Sequence, residues 1–457
     1  MSQNLDVVIL AAGLGTRMKS ATIKVLHRAA GRPIIDYVLD LAGGVSDRPP
    51  VVVIGHQRES VQQSIGERAR FAVQEPQLGT GHAVMQAAPL IDRKTVLILS
   101  GDVPLTRPET LRRLIEEHER GGNALTLLTM KLGNPAMYGR VVRDESGGVT
   151  KIVEAKDASP AEKQIDEVNA GIYVFDAAHL FSNLRNLSTN NAQGEYYLTD
   201  VLGMLRGAGH RVGAFVVEDP VEALGVNSRA ELATVEGEIQ RRVVAKLMAD
   251  GVTFRNPATV VIDSTVGIGN DTVVYPYVTL EGTTRIGTGC IIEPGVHLNN
   301  VTVGDEVHVK TGTVAEDATI ESGCSVGPYA HLRPGSRLGR NVKVGNFVET
   351  KKAVFGEGAK ASHLSYIGDA EVGANVNIGA GTITCNYDGV NKHKTVLEDG
   401  VFVGSDSQLV APVRVGKGAY VGAGSTITKD VPPGALALSR VPQRVVEGWA
   451  EKRKKKR

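Results

Sequence analysis

The sequence of 457 residues is short of cysteine, of aromatic side chains and of net charge. Its three cysteines, Cys290, Cys324 and Cys385, are widely separated, which argues against a disulfide framework or a zinc knuckle and favours a reducing compartment. Aromatic residues make up 4% of the chain, whereas its 53 glycines suit corners and tight loops. The formal net charge of +1 argues against a nucleic-acid partner, because such proteins are normally basic.

Long apolar stretches are missing as well. No stretch approaches the roughly 18 residues of a membrane span, and the N-terminus lacks the basic and apolar regions of a signal peptide. We therefore expect a cytoplasmic protein without stable membrane association, in which the final KRKKKR is a solvated tail. The chain is too long for one ordinary core, so two or three domains are expected.

What the C-terminal half has in abundance is aliphatic residues six positions apart, often followed by glycine. A period of six fits neither an amphipathic helix nor one long strand, and it is typical of the hexapeptide repeats of a parallel β-helix. The aliphatic residues are expected to point inward and to stack from coil to coil. An ordinary β-sandwich would show this spacing only by chance. The three runs are Ile262, Ile268, Val274, Leu280, Ile286, Ile292 and Leu298; Val314, Ile320, Val326, Leu332, Leu338 and Val344; and Val403, Leu409, Val415, Val421 and Ile427.

The N-terminal half, up to Asn227, shows a different pattern, in which short apolar strands alternate with helices. This alternation predicts a Rossmann-like α/β domain with a mostly parallel sheet, whose ligands bind at the carboxyl ends of the strands. The predicted strands are Asp6–Leu10, Val51–Ile54, Phe71–Val73 and Val96–Leu99, and the predicted helices are Pro33–Leu41 and Pro108–Glu119.

Between the two patterns the sequence predicts one long helix. Ser228 and Glu231 have the spacing of a capping box, and Gly251 stands where a C-terminal cap belongs. The predicted domain division is therefore an α/β domain over 1–227, a connecting helix over 228–251 and a β-helix over 252–457.

A glycine-rich turn follows the first predicted strand, in the sequence Ala11-Ala12-Gly13-Leu14-Gly15-Thr16-Arg17-Met18. Glycines at a strand end allow backbone N–H groups to converge on an anion, and Arg17 and Lys24 add positive charge. The turn is not a Walker loop, and Met18 stands where a dinucleotide fingerprint has its third glycine. Taken alone, such a turn is weak evidence, because a minority of glycine-rich turns are only tight turns without a ligand.

The string LAAGLGTRM followed by KVL resembles the signature of the sugar-nucleotide pyrophosphorylases, although Ile23 replaces the usual proline and Ser100 a common tyrosine. Asp102 follows a predicted strand beside the glycine turn, where a magnesium ligand is expected; a loop-capping role is its alternative. The resemblance implies that Asp102 and Asn227 hold Mg²⁺ and that Arg17 and Lys24 act in catalysis on UTP. It implies contacts with UTP or its sugar product from Leu10, Ala11, Ala12, Gly13, Lys24, Gln74, Gly79, Thr80, Ser100, Gly101, Asp102, Gly139, Glu154, Asn169 and Asn227.

Between Val344 and Val403 the six-residue spacing breaks down and polar residues concentrate. Two segments there, Asn377–Thr382 and Cys385–Gly389, closely resemble the bifunctional bacterial enzymes of UDP-N-acetylglucosamine synthesis. That resemblance covers nearly the whole chain and implies a left-handed β-helix, His363 as general base, and homotrimers with sites between subunits. It assigns glucosamine phosphate to Arg333, Lys351, Tyr366 and Asn377. It assigns acetyl-CoA to Ala380, Asn386, Tyr387, Ser405, Ala423 and Arg440, with Asn386 also near the amino sugar.

The function implied by this resemblance is a pair of consecutive reactions on one chain. Acetyl-CoA would acetylate glucosamine 1-phosphate in the β-helix, and UTP would couple to the resulting N-acetylglucosamine 1-phosphate in the α/β domain. One alternative is a monofunctional pyrophosphorylase with a structural β-helix, which the polar cluster around His363 disfavours. Another is a non-catalytic assembly protein, which the set of Arg17, Lys24, Asp102 and Asn227 disfavours.

Overall fold

The structure is a computed structural model that describes residues 4–454, so the end of the expected basic tail lies outside the described residues. The chain divides into two compact units, Met1–Ile239 and Gln240–Arg457. Within the described residues, none of the helices combines the length and the apolar character that crossing a bilayer requires.

The first unit is built on a nine-stranded mixed sheet. Strand Leu5–Leu10 lies centrally and pairs in parallel with Val51–Ile54 and Thr95–Ser100, while Glu167–Asp176 runs antiparallel beside the latter. The remaining strands of the sheet are Arg70–Val73, Leu125–Lys131, Arg140–Arg143, Val149–Val153 and Val212–Val216. The α-helices are Ile34–Gly43, Arg58–Ile65, Thr80–Ala87, Pro108–Gly121, Ala177–Leu184 and Asp200–Gly207.

Side chains of the central strand alternate between two apolar cores. Val7 and Ile9 pack into one core and Val8 into the other, so both faces of the sheet are covered. The predicted strands are confirmed to within one residue at each end. Pro108 occupies the first helical turn as expected, whereas Pro33 precedes its helix as the N-cap.

The predicted long helix is confirmed and spans Arg229–Ala249. Ser228 Oγ accepts a hydrogen bond from the Glu231 backbone N–H at 3.3 Å, and Glu231 Oε2 accepts one from the Asn227 N–H at 2.9 Å. Gly251 follows with a φ of +95°, a left-handed conformation that favours glycine. The boundary between the two compact units lies inside this helix, and the proposed three-part division stays a prediction.

The second unit is the parallel β-helix that the hexapeptide spacing predicts. One sheet contains Thr253–Phe254, Val273–Val274, Ile291–Ile292, His308–Val309, Ser325–Val326, Lys343–Asn346, Lys360–His363, Asn377–Ile378, Phe402–Val403, Tyr420–Val421 and Leu436–Ala437. The other strands are Val261–Ile262, Gly267–Ile268, Thr279–Glu281, Arg285–Ile286, His297–Asn299, Thr302–Val303, Val314–Glu316, Thr319–Ile320, His331–Leu332, Arg337–Leu338, Glu349–Phe355, Tyr366–Val372, Ile383–Cys385, Thr395–Leu397, Gln408–Val410, Val413–Val415 and Thr426–Ile427. A short helix, Trp449–Lys454, follows.

The inward aliphatic ladder is confirmed in all three runs except at Val314. Val314 is only partly buried, and Ala315 takes the inward position in register with Leu298. The reason is that some coils are one residue shorter than three full hexapeptides, as the pairing of Ile286 with Val303 shows. A strict count in sixes therefore falls out of step with the structure after such a coil.

The six-residue spacing breaks down between Val344 and Val403 mostly because the type of residue at inward positions changes, and not because the coils stop. Val344 pairs with Ala361, which in turn pairs with Ile378, so the coils continue. Buried Thr350 and Thr384 replace larger aliphatic residues at inward positions, which hides the repeat in the sequence. The real excursion is a loop after Cys385, because the stretch of chain from Ile378 to its partner Val403 is longer than an ordinary coil.

Candidate active sites

The first candidate site begins where the central strand of the α/β unit ends. Leu10 and Ser100 lie side by side at the carboxyl ends of their parallel strands. The glycine-rich turn then bends through a short 3-10 helix, Thr16–Met18. Gly15 has a φ of +61°, and a Cβ there would lie 2.8 Å from Lys24 Cβ, so a side chain at this position would displace Lys24.

A cavity of about 490 Å³ opens above these strand ends. Most residues that the sequence assigned to the nucleotide site lie on its wall. They are Leu10, Ala11, Ala12, Gly13, Arg17, Lys24, Gln74, Gly79, Thr80, Ser100, Asp102 and Asn227. The helix Thr80–Ala87 points its N-terminus at this cavity, with Gly79 as N-cap. Such an end offers backbone N–H donors and a favourable dipole to an anion.

Lys24 lies at the centre of the polar contacts in the cavity. Its Nζ is 2.5 Å from Asp102 Oδ2 and 3.1 Å from Asn227 Oδ1. One carboxylate oxygen and one amide oxygen, from residues far apart in sequence, therefore converge on a single cation. Oxygen donors of these two kinds are the ligands that Mg²⁺ prefers, so the pair fits the magnesium site that the family resemblance implied.

Three further predicted residues, Gly139, Glu154 and Asn169, lie outside the wall of this cavity and close to one another. The Asn169 N–H donates to Gly139 O at 2.9 Å, and a Cβ on Gly139 would lie 3.5 Å from Glu154 Oε2. Ser100 connects this group to the cavity, because its Oγ donates to Gly171 O at 3.1 Å and the Gly171 N–H donates to Asn169 Oδ1.

Gly101 and Glu154 are constrained in different ways. The Gly101 N–H donates to Leu10 O at 2.9 Å, and a Cβ there would lie 3.0 Å from the same oxygen, so a side chain at this position would crowd the backbone of the central strand. Burial raises the pKa of Glu154, and the nearby carboxylates of Asp157 and Asp200 raise it further, while a hydrogen bond from Thr199 opposes the shift. A hydroxyl-rich ligand that donates hydrogen bonds would stabilise the ionised form.

The second candidate site lies on the β-helix and starts at His363. His363 ends strand Lys360–His363 and lies in register with Asn346, one coil earlier. Asn346 Oδ1 is 2.6 Å from His363 Nδ1 and accepts its hydrogen bond. This contact places the proton of the neutral ring on Nδ1 and leaves the Nε2 lone pair available as a base.

A group of three cations lies on neighbouring parts of the β-helix. Arg333 follows strand His331–Leu332 and Lys351 lies in strand Glu349–Phe355, both of the other sheet, while Lys392 lies in the loop after Cys385. Arg333 donates to Glu349 Oε1 at 2.8 Å, and Glu349 is in register with Tyr366. The pKa of Lys351 is lowered by contact with Lys392 and by the charge of Arg333. Three cations with one paired carboxylate suit a phosphate group, which would relieve their mutual repulsion.

The predicted acetyl-CoA residues follow one edge of the β-helix beyond His363. Ala380, Ser405 and Ala423 each come shortly after the in-register positions Ile378, Val403 and Val421. Backbone hydrogen bonds extend along the same edge, from Asp406 N–H to Ala380 O at 2.7 Å and from Gly424 N–H to Ser405 O at 2.9 Å. Arg440 closes the series by donating to Ala423 O at 2.9 Å.

The loop after Cys385 is folded back on itself. Its Asp388 accepts hydrogen bonds from the Asn391 and Val390 N–H groups and from His393, which lower the pKa of Asp388 to about 2. At its base, Asn386 donates to Asp369 Oδ2 at 2.5 Å, and Tyr387 pairs with Lys392.

Asn377 lies apart from His363 within the chain. It begins its strand in register with Lys360, whereas His363 is in the last position of that neighbouring strand.

Comparisons with known proteins agree with both units. A nucleotidyl transferase model matches residues 6–220, and a bacterial transferase hexapeptide model with six repeats matches 265–300, 317–352 and 394–429. Several curated relatives are called bifunctional protein GlmU. The relative from Pelobacter propionicus is 52% identical, and the match covers 99% of this chain and 100% of the relative. The relative from Syntrophotalea carbinolica is 54% identical, and the match covers 97% of this chain and 96% of the relative. A third, in Clostridioides difficile, is 48% identical over 99% of each chain.

The chain belongs to the bifunctional GlmU family. It is therefore a bifunctional transferase that joins a nucleotidyltransferase domain to hexapeptide transferase repeats, as the sequence indicated. Its substrates are nucleotides and sugar phosphates, as this class of enzyme requires.

Sequence reasoning missed several side chains that line or contact the candidate sites. Gln77 and Glu195 line the cavity of the α/β unit, yet neither belongs to a recognisable motif. On the β-helix, Asn346, Glu349 and Lys392 contact predicted residues. The separation of Asn346 from His363 is that of a short coil, and it could have indicated a neighbour one coil away had the shorter coils been recognised.

Proposed function

We propose that this chain catalyses two consecutive reactions of UDP-N-acetylglucosamine synthesis. The β-helix acetylates glucosamine 1-phosphate with acetyl-CoA, and the α/β domain couples the product with UTP to release pyrophosphate. The observation that carries the proposal is the presence of two chemically different sites on one chain. One is a cavity whose wall carries Arg17, Lys24, a helix N-terminus and converging oxygen donors. The other is centred on His363, whose Nδ1 is held by the amide oxygen of Asn346.

Uridylyl transfer requires no general base, because the phosphate of N-acetylglucosamine 1-phosphate is already ionised. A phosphate oxygen attacks the α-phosphorus of UTP, the bond to the β-phosphate breaks, and pyrophosphate leaves. Arg17 and Lys24 neutralise charge on the phosphates, and the N-terminus of helix Thr80–Ala87 adds N–H donors. Asp102 and Asn227 would hold a Mg²⁺ ion, which supplies further charge neutralisation when bound.

Acetyl transfer needs a base, since the amine of glucosamine 1-phosphate must lose a proton as it attacks the thioester. His363 Nε2 accepts that proton, the new amide bond forms, and CoA leaves as the thiolate, which then takes up a proton. Arg333, Lys351 and Lys392 bind the sugar phosphate, and the edge formed by Ala380, Ser405 and Ala423 receives the acyl carrier. Cys385 is not required, since no acyl-enzyme forms.

The proposal includes a homotrimer with acetyl-CoA sites between subunits. It is supported by an apolar column on successive coils, Tyr329, Phe347 and Leu364, each of which is more than half exposed. The rings of Tyr329 and Phe347 stack with centroids 5.8 Å apart, and Leu364 directly follows His363. Apolar columns of this kind are normally covered in an assembly. Light scattering of wild type and Phe347→Glu tests the interface: a trimer that Phe347→Glu dissociates supports it, and a monomeric wild type contradicts it.

Two assays on the purified full chain test the function. The first measures free thiol released from acetyl-CoA with glucosamine 1-phosphate. The second measures pyrophosphate released from UTP with N-acetylglucosamine 1-phosphate. We expect both products. Pyrophosphate without thiol would favour the monofunctional alternative with a structural β-helix, and the absence of both would exclude the proposal.

A further inference from the structure

Lys24 contacts both predicted metal ligands, so its side chain affects how a divalent cation can bind between them. Lys24 Nζ lies 2.5 Å from Asp102 Oδ2, and both side chains are more than four-fifths buried. A second contact of 3.1 Å to Asn227 Oδ1 completes the bridge. The ammonium therefore occupies the point on which the two oxygen donors converge, which is the place where a divalent cation would have to bind.

An ammonium and a divalent cation cannot share this point. Ligand oxygens approach Mg²⁺ to about 2.0–2.1 Å, so the ion would have to replace the ammonium at the same oxygens. Two cations held against the largely buried carboxylate of Asp102 would also repel each other strongly. Metal binding at Asp102 and Asn227 thus requires Lys24 Nζ to leave.

The backbone around Lys24 lets only the end of the side chain move. The left-handed turn at Gly15 lies against Lys24 Cβ, and the next residue, Val25, is buried in the core of the α/β unit. The flexible stem beyond Cβ can swing within the same cavity, past Gly13, Thr16 and Arg17. Phosphate oxygens of a nucleotide in that cavity would attract the ammonium away from Asp102.

We infer that Lys24 is a built-in counter-ion that keeps the Asp102–Asn227 pair closed to divalent cations until the phosphates of a nucleotide draw it away. The inference rests on the proposed metal site and deepens it. It assigns Lys24 two successive positions, one on the empty ligand pair and one on the substrate phosphates. The metal consequently enters together with the nucleotide instead of binding beforehand.

The test measures Mn²⁺ binding to the ligand-free full chain from the electron paramagnetic resonance signal of unbound Mn²⁺. Lys24→Met keeps the length of the stem and removes the charge, and should bind Mn²⁺ about ten-fold or more tightly than wild type, since a charged hydrogen bond no longer competes. Lys24→Arg retains a cation and should stay close to wild type.

A matched control separates direct competition from general electrostatics. Arg17→Met removes one positive charge from the same cavity, and should change Mn²⁺ affinity by less than about three-fold because charge at longer range is screened by solvent. Equal gains in Lys24→Met and Arg17→Met would overturn the inference, as would unchanged or weaker binding in Lys24→Met. Thermal unfolding checks that each variant is folded, and Lys24→Gln replaces Lys24→Met if the latter is not.

Asp102→Ala distinguishes failure of this inference from failure of the proposed metal site. If Lys24→Met gains affinity and the double variant Lys24→Met/Asp102→Ala loses it, both hold. If Asp102→Ala abolishes Mn²⁺ binding while Lys24→Met matches wild type, only the counter-ion role is wrong. If Lys24→Met/Asp102→Ala binds Mn²⁺ as tightly as Lys24→Met, the ligand assignment itself is wrong.

Discussion

The two candidate sites handle positive charge in opposite ways. In the α/β domain the ammonium of Lys24 is neutralised by Asp102 and also donates a hydrogen bond to the amide oxygen of Asn227. On the β-helix, Lys351 lies against Lys392 and near Arg333, and this crowding lowers the pKa of Lys351. The charges of the first arrangement are paired without a ligand, whereas those of the second repel one another and would be stabilised by an anion.

The two sites also differ in how the chain brings their residues together. The cavity of the α/β unit combines one continuous turn with strand ends that meet because Leu10 and Ser100 are in register. The β-helix site instead combines residues about one coil apart, such as Asn346 and His363. A substitution in one site should therefore leave the other reaction intact.

The strongest test of this independence is Asp102→Ala. This substitution removes the carboxylate of the proposed magnesium site. We therefore expect uridylyl transfer to fall by about 10³-fold or more, as when a major electrostatic group is lost from phosphoryl transfer. Acetyl transfer should stay within about two-fold of wild type. Pyrophosphate and thiol release from one preparation give both rates, with Asp92→Ala as an exposed control. Uridylyl transfer at a near-normal rate would refute the assignment of Asp102.

The substitution His363→Ala should impair acetyl transfer and spare uridylyl transfer, the opposite of Asp102→Ala. Loss of the base that accepts the amine proton should reduce acetyl transfer by about 10²- to 10⁴-fold, the range typical of general acid–base catalysis. Pyrophosphate release should be unchanged. His297→Ala is a matched control, because His297 is a partly exposed histidine of the same β-helix that pairs with Glu281. If His363→Ala keeps most of its acetyltransferase rate, another group is the base.

The two sites could be predicted from the sequence to different extents, because one uses a contiguous turn and the other uses residues about one coil apart. The glycine turn of the α/β domain is contiguous, so its residues were predicted together, and Asp102 was predicted because it follows a strand. On the β-helix the fold was predicted from the hexapeptide spacing, but the shorter coils shifted Val314 out of the ladder. Cross-coil partners such as Asn346 and Glu349 depend on the length of each coil, and counting in sixes could not identify them.

The two units also differ in how deeply some of their histidines are buried. His118 is buried in the α/β unit, where burial lowers its pKa to about 4, while His297 and His308 on the β-helix remain partly exposed. Below the unfolded pKa of about 6.5 the unfolded chain binds a proton that the native chain does not. The stabilisation by neutral His118 is thus complete above that pKa and is lost as the pH falls toward about 4.

We expect this linkage to lower the free energy of unfolding of the α/β unit by about 2 kcal/mol between pH 7 and pH 5. His118→Gln retains a partner for Thr126, which His118 Nδ1 contacts at 3.1 Å, but cannot be protonated. Calorimetric unfolding at the two pH values should show a smaller acid shift for His118→Gln than for wild type. His297→Gln serves as the control, and an equal shift in all three proteins would contradict the role of His118.

The smallest expected effect concerns Asn346, which acts only through His363. Asn346→Ala removes the acceptor that fixes the Nδ1 proton, and kcat for acetyl transfer should fall about ten-fold with little change in KM, the size of one lost hydrogen bond. Asn346→Asp keeps the acceptor and adds a negative charge, which favours the protonated imidazolium. The rise of kcat with pH should therefore shift to higher pH in Asn346→Asp, while uridylyl transfer keeps its profile. A merely structural role for Asn346 would change stability or KM and leave that profile where it is, so the shift decides whether His363 depends on its neighbour one coil away.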